Sequence, residues 1–391
     1  MEERILKISG IVCEYNPFHN GHLHHIAETR KNGADRIICV MSGNFVQRGD
    51  AAVMDKFRRA DLAVRCGADL VLELPVQYCL SSAEFFAKGA ICILNSLGVA
   101  DELSFGSECG DIAKLSETAE AVNSVVDSQK MLELMKNGYT YPRALSTVLA
   151  DIAPNAAEIL SEPNNVLAVE YLRALKYLNS GIKPFTVKRS AAMHDSGETY
   201  GNMASASYIR EHIEEAVSYV PPIWADALES ETADIKNLES AILYRVRTAS
   251  AEEISEINDA GQGLAQRIYA ARNAASLEEL FEAVKSKRFT MARIRRVILS
   301  LLIGIKKSDM AELPPYIRVL ALNGGGREIL AAAKKKASLP WGTSLSKLLE
   351  KNAAAKRFAE LESRAADIYA LAFRTPKIGG MEFRTGIKIQ D

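Results

Sequence analysis

Short apolar runs alternate with helical segments at even intervals through residues 6–105, and that alternation leaves few folds open. Residues 6–13 are rich in β-branched side chains and read as a strand, with a helix following over 22–32. Further strands are expected at 36–41, 69–74 and 102–105, with helices at 54–66 and 82–97. Strands separated by helices in this way form βαβ units and a parallel sheet. Right-handed crossovers then gather the carboxyl ends of the strands, and any ligand site, along one sheet edge.

Beyond residue 110 the pattern turns mostly helical, with one more strand expected at 184–189 and a serine-rich helix start at 205–210 that Ser207 can cap. Val220-Pro-Pro breaks that helix, and the domain boundary is placed near it: a nucleotide-binding domain over 1–215 and a mostly helical domain over 216–391. Residues 236–375 show helical spacing and little strand character, with a short hairpin expected at 383–389. The fold class is therefore α/β, a Rossmann-like parallel-sheet domain followed by an α-helical one.

Composition excludes several classes. Charged residues make up 25% and apolar residues 48%, which is ordinary for a globular chain and rules out wholesale disorder. The longest strongly apolar stretch, 297–305, is about half of what a membrane helix needs. The start Met1-Glu-Glu-Arg-Ile-Leu has no leader-like apolar region, so a cytoplasmic protein is expected. All six cysteines lie before residue 110 without a Cys-x-x-Cys pair, and read as reduced, buried thiols.

The chemistry concentrates where the first strand gives way to the first helix. Four of the six histidines (His19, His22, His24, His25) fall within seven residues there. A helix start at the carboxyl edge of a parallel sheet offers N–H groups and a positive dipole end to an anion. His19 and His22 share one face of the first turn, where both can donate to phosphate oxygens and steady charge building at an α-phosphate. Zinc is a poorer fit, because no carboxylate or thiolate stands at ligand spacing beside them. No metal ligand is assigned.

The string Ile11-Val-Cys-Glu-Tyr-Asn-Pro-Phe-His-Asn-Gly-His resembles the HxGH signature of the nucleotidylyltransferases, and in its full length is similar to the bacterial tRNA(Met) cytidine acetate ligases. Val40-Met-Ser-Gly-Asn-Phe-Val-Gln-Arg-Gly, Leu72-Glu-Leu-Pro, Phe105-Gly-Ser-Glu, Glu162-Pro-Asn-Asn and Ala204-Ser-Ala-Ser-Tyr-Ile-Arg resemble that family in the same order. The resemblance implies that ATP activates acetate as acetyl-adenylate, and that the acetyl group passes to the exocyclic amine of the wobble cytidine in elongator tRNA(Met). It places the ATP site on Val12, Cys13, Glu14, Tyr15, Asn16, Pro17, Phe18, His19, Asn20, Gly21, His22, Leu23, His24 and His25, with Gly106, Asn164 or Asn165, and Arg189. Ser205, Ser207 and Arg210 resemble the superfamily's second, phosphate-gripping signature. Mg²⁺ is expected on the triphosphate.

The long loop between the second and third strands supplies Ser42, Asn44, Gln47 and Arg48 as candidates for acetate or pyrophosphate, and Lys56 as a candidate catalytic cation. Charge is uneven: residues 285–307 hold eight basic and no acidic side chains, against a chain total of −1. Lys285, Lys287, Arg288, Arg293, Arg295 and Arg296 are read as the tRNA-binding stripe, with a second basic group at 334–357. No protein partner is implied. Two other readings stay open on the residues: a small-molecule nucleotidylyltransferase of the phosphopantetheine or nicotinamide mononucleotide type, and an RNA-binding protein with an idle nucleotide pocket.

Overall fold

The computed structural model describes residues 6–189 and 201–390; the Met1–Ile5 start, read above for a leader, lies outside them. Ten strands are assigned among these residues: β1 Ile8–Cys13, β2 Arg36–Ser42, β3 Phe45–Val46, β4 Asp50–Ala51, β5 Leu70–Leu74, β6 Glu102–Ser107, β7 Lys183–Lys188, β8 Ile317–Leu322, β9 Trp341–Gly342 and β10 Lys388–Ile389. The main sheet runs β10-β8-β5-β2-β1-β6-β7, with β9 beside β8. From β5 to β7 it is parallel, with Ile8 opposite Arg36 and Ser9 opposite Glu102. Because β1 connects to β2 on one side while β6 lies on its other side, the strand order reverses at β1. That reversal opens a crevice beyond the strands' carboxyl ends.

The helices form for local reasons. Asn20–Lys31 is capped by His19 and ends with Arg30 and Lys31 at its negative pole. Lys56–Arg65 is capped by Asp55, whose carboxylate accepts from Phe57 N and Arg58 N. Ala83–Leu97 stops at Gly98 in the left-handed region. The helix after Ala204 is short, Ala206–Glu211. Ser205 rather than Ser207 caps it, since Ser205 has the extended backbone an N-cap requires and its Oγ accepts from Tyr208 N at 3.1 Å.

Two expectations about the carboxyl-terminal half need correction. Residues 236–375 are not free of strands: β8 is wholly buried and pairs antiparallel with β5. The expected hairpin over 383–389 is a 3₁₀ turn, Met381–Phe383, followed by β10, which pairs parallel with β8. The sheet therefore draws strands from both sides of residue 216. The helices over 235–303 keep a core of their own around Ile242, Val246, Ile294, Val297 and Leu301, into which Phe45 and Ala51 of the β3–β4 hairpin also pack. Among the described residues, no helix is long and apolar enough to cross a membrane.

Candidate active site

At the crevice beyond β1 lies a cleft of about 620 Å³. Val12, Cys13, Glu14, Tyr15, Asn16, His19, His22 and His25 line it from the first strand and helix and the loop between them, Gly106 from β6, Asn164 from the start of the Pro163–Tyr177 helix, and Arg189 from the end of β7. Ser205, Ser207 and Arg210 close another side, and Gln47 and Arg48 enter from the β3–β4 hairpin. Residues from all the quoted motifs except Leu72-Glu-Leu-Pro, spread over some two hundred residues, thus converge on one cavity.

The helix start works differently from the expectation of free N–H groups. Asn20 N donates to the Tyr219 carbonyl at 2.8 Å, and Gly21 N donates to His19 Nδ1 at 3.1 Å. His19 N in turn donates to His22 Nδ1 at 3.2 Å, so the two imidazoles form the capping box themselves. A nitrogen that accepts a backbone hydrogen bond carries no proton, so each neutral ring keeps its proton on Nε2. The rings stack with centroids 3.7 Å apart. Burial, with Arg189 nearby, pushes His19 down to about 3, and burial, with His19 and Arg189 nearby, holds His22 well below the usual range. Both are therefore neutral N–H donors at neutral pH, polarised by the helix amides behind them. His25 is likewise lowered to about 4, mainly by burial, and its Nε2 lies 2.9 Å from Ser104 Oγ.

Several nominated residues stand outside the cleft wall. Phe18 is fully buried and stacks on Trp224, which wedges the loop in place. Leu23 and His24 are exposed on the far face of the helix, and Pro17, Asn20 and Gly21 are absent from the cleft wall. Asn165 is buried as a clip, accepting from Cys109 N at 2.9 Å and donating to the Ile159 carbonyl at 3.0 Å. The start of its helix, Pro163–Tyr177, is held by Glu108, which accepts from Asn164 N and Asn165 N. Gly106 leaves room for Arg189: a Cβ there would stand 3.2 Å from the arginine stem.

The loop after β2 is anchored rather than loose. Glu14 Oε1 accepts from Ser42 Oγ at 3.1 Å and from Gln47 N at 2.7 Å. Asn44 Oδ1 accepts from Lys56 N, and the buried Arg59 guanidinium donates to the carbonyls of Glu14, Ser42, Gly43 and Met54. Ser42 and Asn44 are therefore scaffolding, while Gln47 and Arg48 reach the cleft. Arg48 and Arg210 both donate to Ser207 Oγ, at 3.3 and 3.1 Å, and Arg210 also donates to the Asn16 carbonyl.

Lys56 is a correction. It lines no part of the cleft but is fully buried against Glu73, Glu362 and Glu382, with Arg318 completing the cluster. These carboxylates are the one group at metal-ligand spacing among the described residues, and Lys56 and Arg318 are already paired with them. The basic stripe is corrected in part. Lys285 and Lys287 are exposed, whereas Arg293 and Arg296 share Asp259, and Arg295 lies over the Phe281 ring. Arg288 is half-buried.

Arg296, read from sequence as a tRNA contact, lines the cleft as well. Cleft residues not nominated from sequence include Asp50, Phe86, Phe105, Tyr171 and Thr290. Phe105 lies in a quoted motif; the others carry no local signal and are brought in by the fold.

The chain matches the HIGH Nucleotidyl Transferase family over residues 6–381. It is 40% identical to the tRNA(Met) cytidine acetate ligase of Thermoanaerobacter sp. (strain X514), with 96% of this chain and 98% of that one covered. It is 36% identical to the protein of that name from Acetivibrio thermocellus, covering 98% and 100%. The crystal structure of Thermotoga maritima TmcAL bound with alpha-thio ATP superposes with a TM-score of 0.91 at 33% identity, over 99% of this chain and all of that one.

Proposed function

The chain belongs to the tRNA(Met) cytidine acetate ligases within the HIGH nucleotidyl transferases, and from that premise we propose that its cleft joins acetate to ATP and delivers the acetyl group to the wobble cytidine of elongator tRNA(Met). The observation that carries this reading is the pair of neutral imidazoles at the strand reversal, each left with one Nε2–H donor.

Acetate is a weak nucleophile, so its attack on the α-phosphate needs the growing oxygen charge met by donors already in place. His19 and His22 supply two such donors without proton transfer, since neither changes its protonation on the way. Arg48, Arg210 and Ser207 meet at one end of the cleft and suit the pyrophosphate that must leave. Arg189, beside Gly106, brings a further positive charge. Mg²⁺ would travel on the triphosphate and neutralise part of its charge. Glu14 and Asp50, the carboxylates of the cleft wall, suit its water shell, because this ion is commonly held by one or two carboxylates plus substrate phosphates.

For the second step, the exocyclic amine of an unstacked cytidine must reach the acyl carbon. The exposed Lys285 and Lys287, with the Lys334–Lys336 run, are the surface cations suited to the RNA backbone. Such an enzyme works in the cytoplasm, where ATP and tRNA meet. The small-molecule transferase reading is not favoured: the ligases align along nearly their whole length, helical half included. The test is acetate-dependent ATP–pyrophosphate exchange, followed by transfer of labelled acetate to tRNA(Met). Exchange without acetate, or label that never reaches RNA, would contradict the reading.

A further inference from the structure

The β3–β4 hairpin brings Gln47 and Arg48 to the cleft, yet it is only two residues deep on each side and cannot hold its own position. Its apolar residues, Phe45 and Ala51, are buried in the core of the helical half. Its turn, Gly49, has φ +74° and is seated on the Met291–Ile303 helix. A Cβ at Gly49 would stand 2.6 Å from both Arg295 Cβ and Arg296 N, with backbone rather than a movable side chain in the way.

Arg296 ties this seat together. Its side chain is only 12% exposed and lines the cleft. One guanidinium nitrogen donates to the Gln47 carbonyl at 3.3 Å and another to Asp259 Oδ2 at 2.9 Å, while Nε is buried without a partner. Asp259 also pairs with Arg293, and Gln262 Oε1 accepts from Arg293 at 2.9 Å. Asp259 and Gln262 both occupy the left-handed region, at φ +65° and +61°. Two non-glycine residues in that conformation within one short loop mark a backbone held against its preference. Here the loop's polar groups hold the two arginines of the helix.

We infer that Arg296 is a positioning residue for the ATP half-reaction: its fork bridges Asp259 to the Gln47 carbonyl and so fixes Arg48 at the phosphate end of the cleft. The inference rests on the function proposed above and changes the part given to this arginine. The charge read from sequence as a tRNA contact serves the nucleotide site, and the helical half completes that site. A lysine cannot replace it, because one ammonium at the end of a flexible stem does not reproduce the planar two-pronged geometry.

The experiment uses the full chain and three variants, Arg296→Ala, Arg296→Lys and Gly49→Ala, each checked by thermal unfolding. ATP binding is measured by calorimetry, exchange kinetics with acetate, and tRNA affinity by anisotropy. Arg296→Ala should weaken ATP binding about tenfold and raise its KM in parallel, with kcat and tRNA affinity within about twofold of the parent. Arg296→Lys should restore little. Gly49→Ala, which removes no charge but pushes the turn off its seat, should reproduce the ATP effect. Unchanged ATP affinity in Arg296→Ala overturns the inference, as does a loss confined to tRNA binding. Full rescue by lysine with normal Gly49→Ala also overturns it, in favour of a charge acting directly on the phosphates. If Arg296→Ala does not fold, Asp259→Asn cuts the same bridge and is read in the same way. A parent protein that binds no ATP would instead remove the reading beneath.

Discussion

Lys56→Met isolates a buried charge without touching the cleft. Lys56 and Arg318 face Glu73, Glu362 and Glu382 where water does not reach. Burial, then the charge of Glu73, pushes Glu362 up to about 8, so at pH 7 the cluster holds one proton and is close to neutral. Burial alone would lower Lys56, but the carboxylates around it outweigh that and keep it charged. Removing the ammonium leaves one carboxylate uncompensated, a loss of about 3–5 kcal/mol for a broken buried pair. In a chain of this size, at about 2 °C per kcal/mol, Tm should fall on the order of 6–10 °C.

The pH dependence follows from the same count. A carboxyl whose folded pKa is raised binds its proton more readily folded than unfolded, so stability falls as pH rises toward the folded value. In Lys56→Met a second carboxyl joins Glu362 in that condition. The deficit against the parent should therefore shrink from pH 8 to pH 5.5, by up to about 1.4 kcal/mol per pH unit for one extra proton. Adding Glu73→Gln leaves Arg318 with Glu382 and a neutral Glu362, and should recover most of the loss. Differential scanning calorimetry across pH, with ATP binding measured alongside, tests the role of this charge. A single variant with parental Tm but no adenylate formation would refute it and return Lys56 to the chemistry; a pH-independent deficit would refute the charge count.

The histidines give a second expectation: ¹⁵N-resolved NMR should show His19 and His22 as neutral Nε2–H tautomers from pH 8 to pH 5.5, and an inflection near 6.5 in either ring would contradict the capping geometry. Because both rings are held below the usual range, the stability they contribute is complete above about 6.5 and is lost as pH falls below it, toward about 3 for His19, which acid unfolding can follow. On the RNA side, Lys285→Ala with Lys287→Ala should weaken tRNA binding and flatten the slope of log affinity against log salt by about 0.7–0.9 per lost contact, leaving adenylate formation unchanged. An unaltered slope would take these lysines out of the RNA surface.

The parallel half of the sheet is legible because β1, β2 and β5 are short apolar runs bounded by turn residues, with helices recurring between the strands. β8 was harder. Ile317–Leu322 is bounded by Pro314-Pro315 and Asn323-Gly-Gly-Gly, a usable signal, but Arg318 interrupts the run and the surrounding helical composition hides it. The arginine becomes intelligible only once Glu73 and Glu382, 245 and 64 residues away in sequence, are seen beside it. In the site, the motif spacing marked His19 and His22 but not how they are held, since backbone amides that donate into imidazole leave no trace in composition. The basic stripe misled in part for a related reason: charge counting does not register Asp259, the one carboxylate that engages two of its arginines.

On the proposed function, a neutral imidazole pair stabilises charge developing at the α-phosphate. Single-turnover, acid-quenched formation of acetyl-adenylate, with ATP and acetate and no tRNA, tests it most directly in His22→Ala. That substitution also removes the acceptor for His19 N, costing about 1 kcal/mol of helix capping, so ATP affinity is measured on the same protein. The chemical step should be slower by ~10²–10³, with ATP affinity altered only a few-fold. An unchanged rate, or a slowing wholly recovered by saturating ATP, would contradict it.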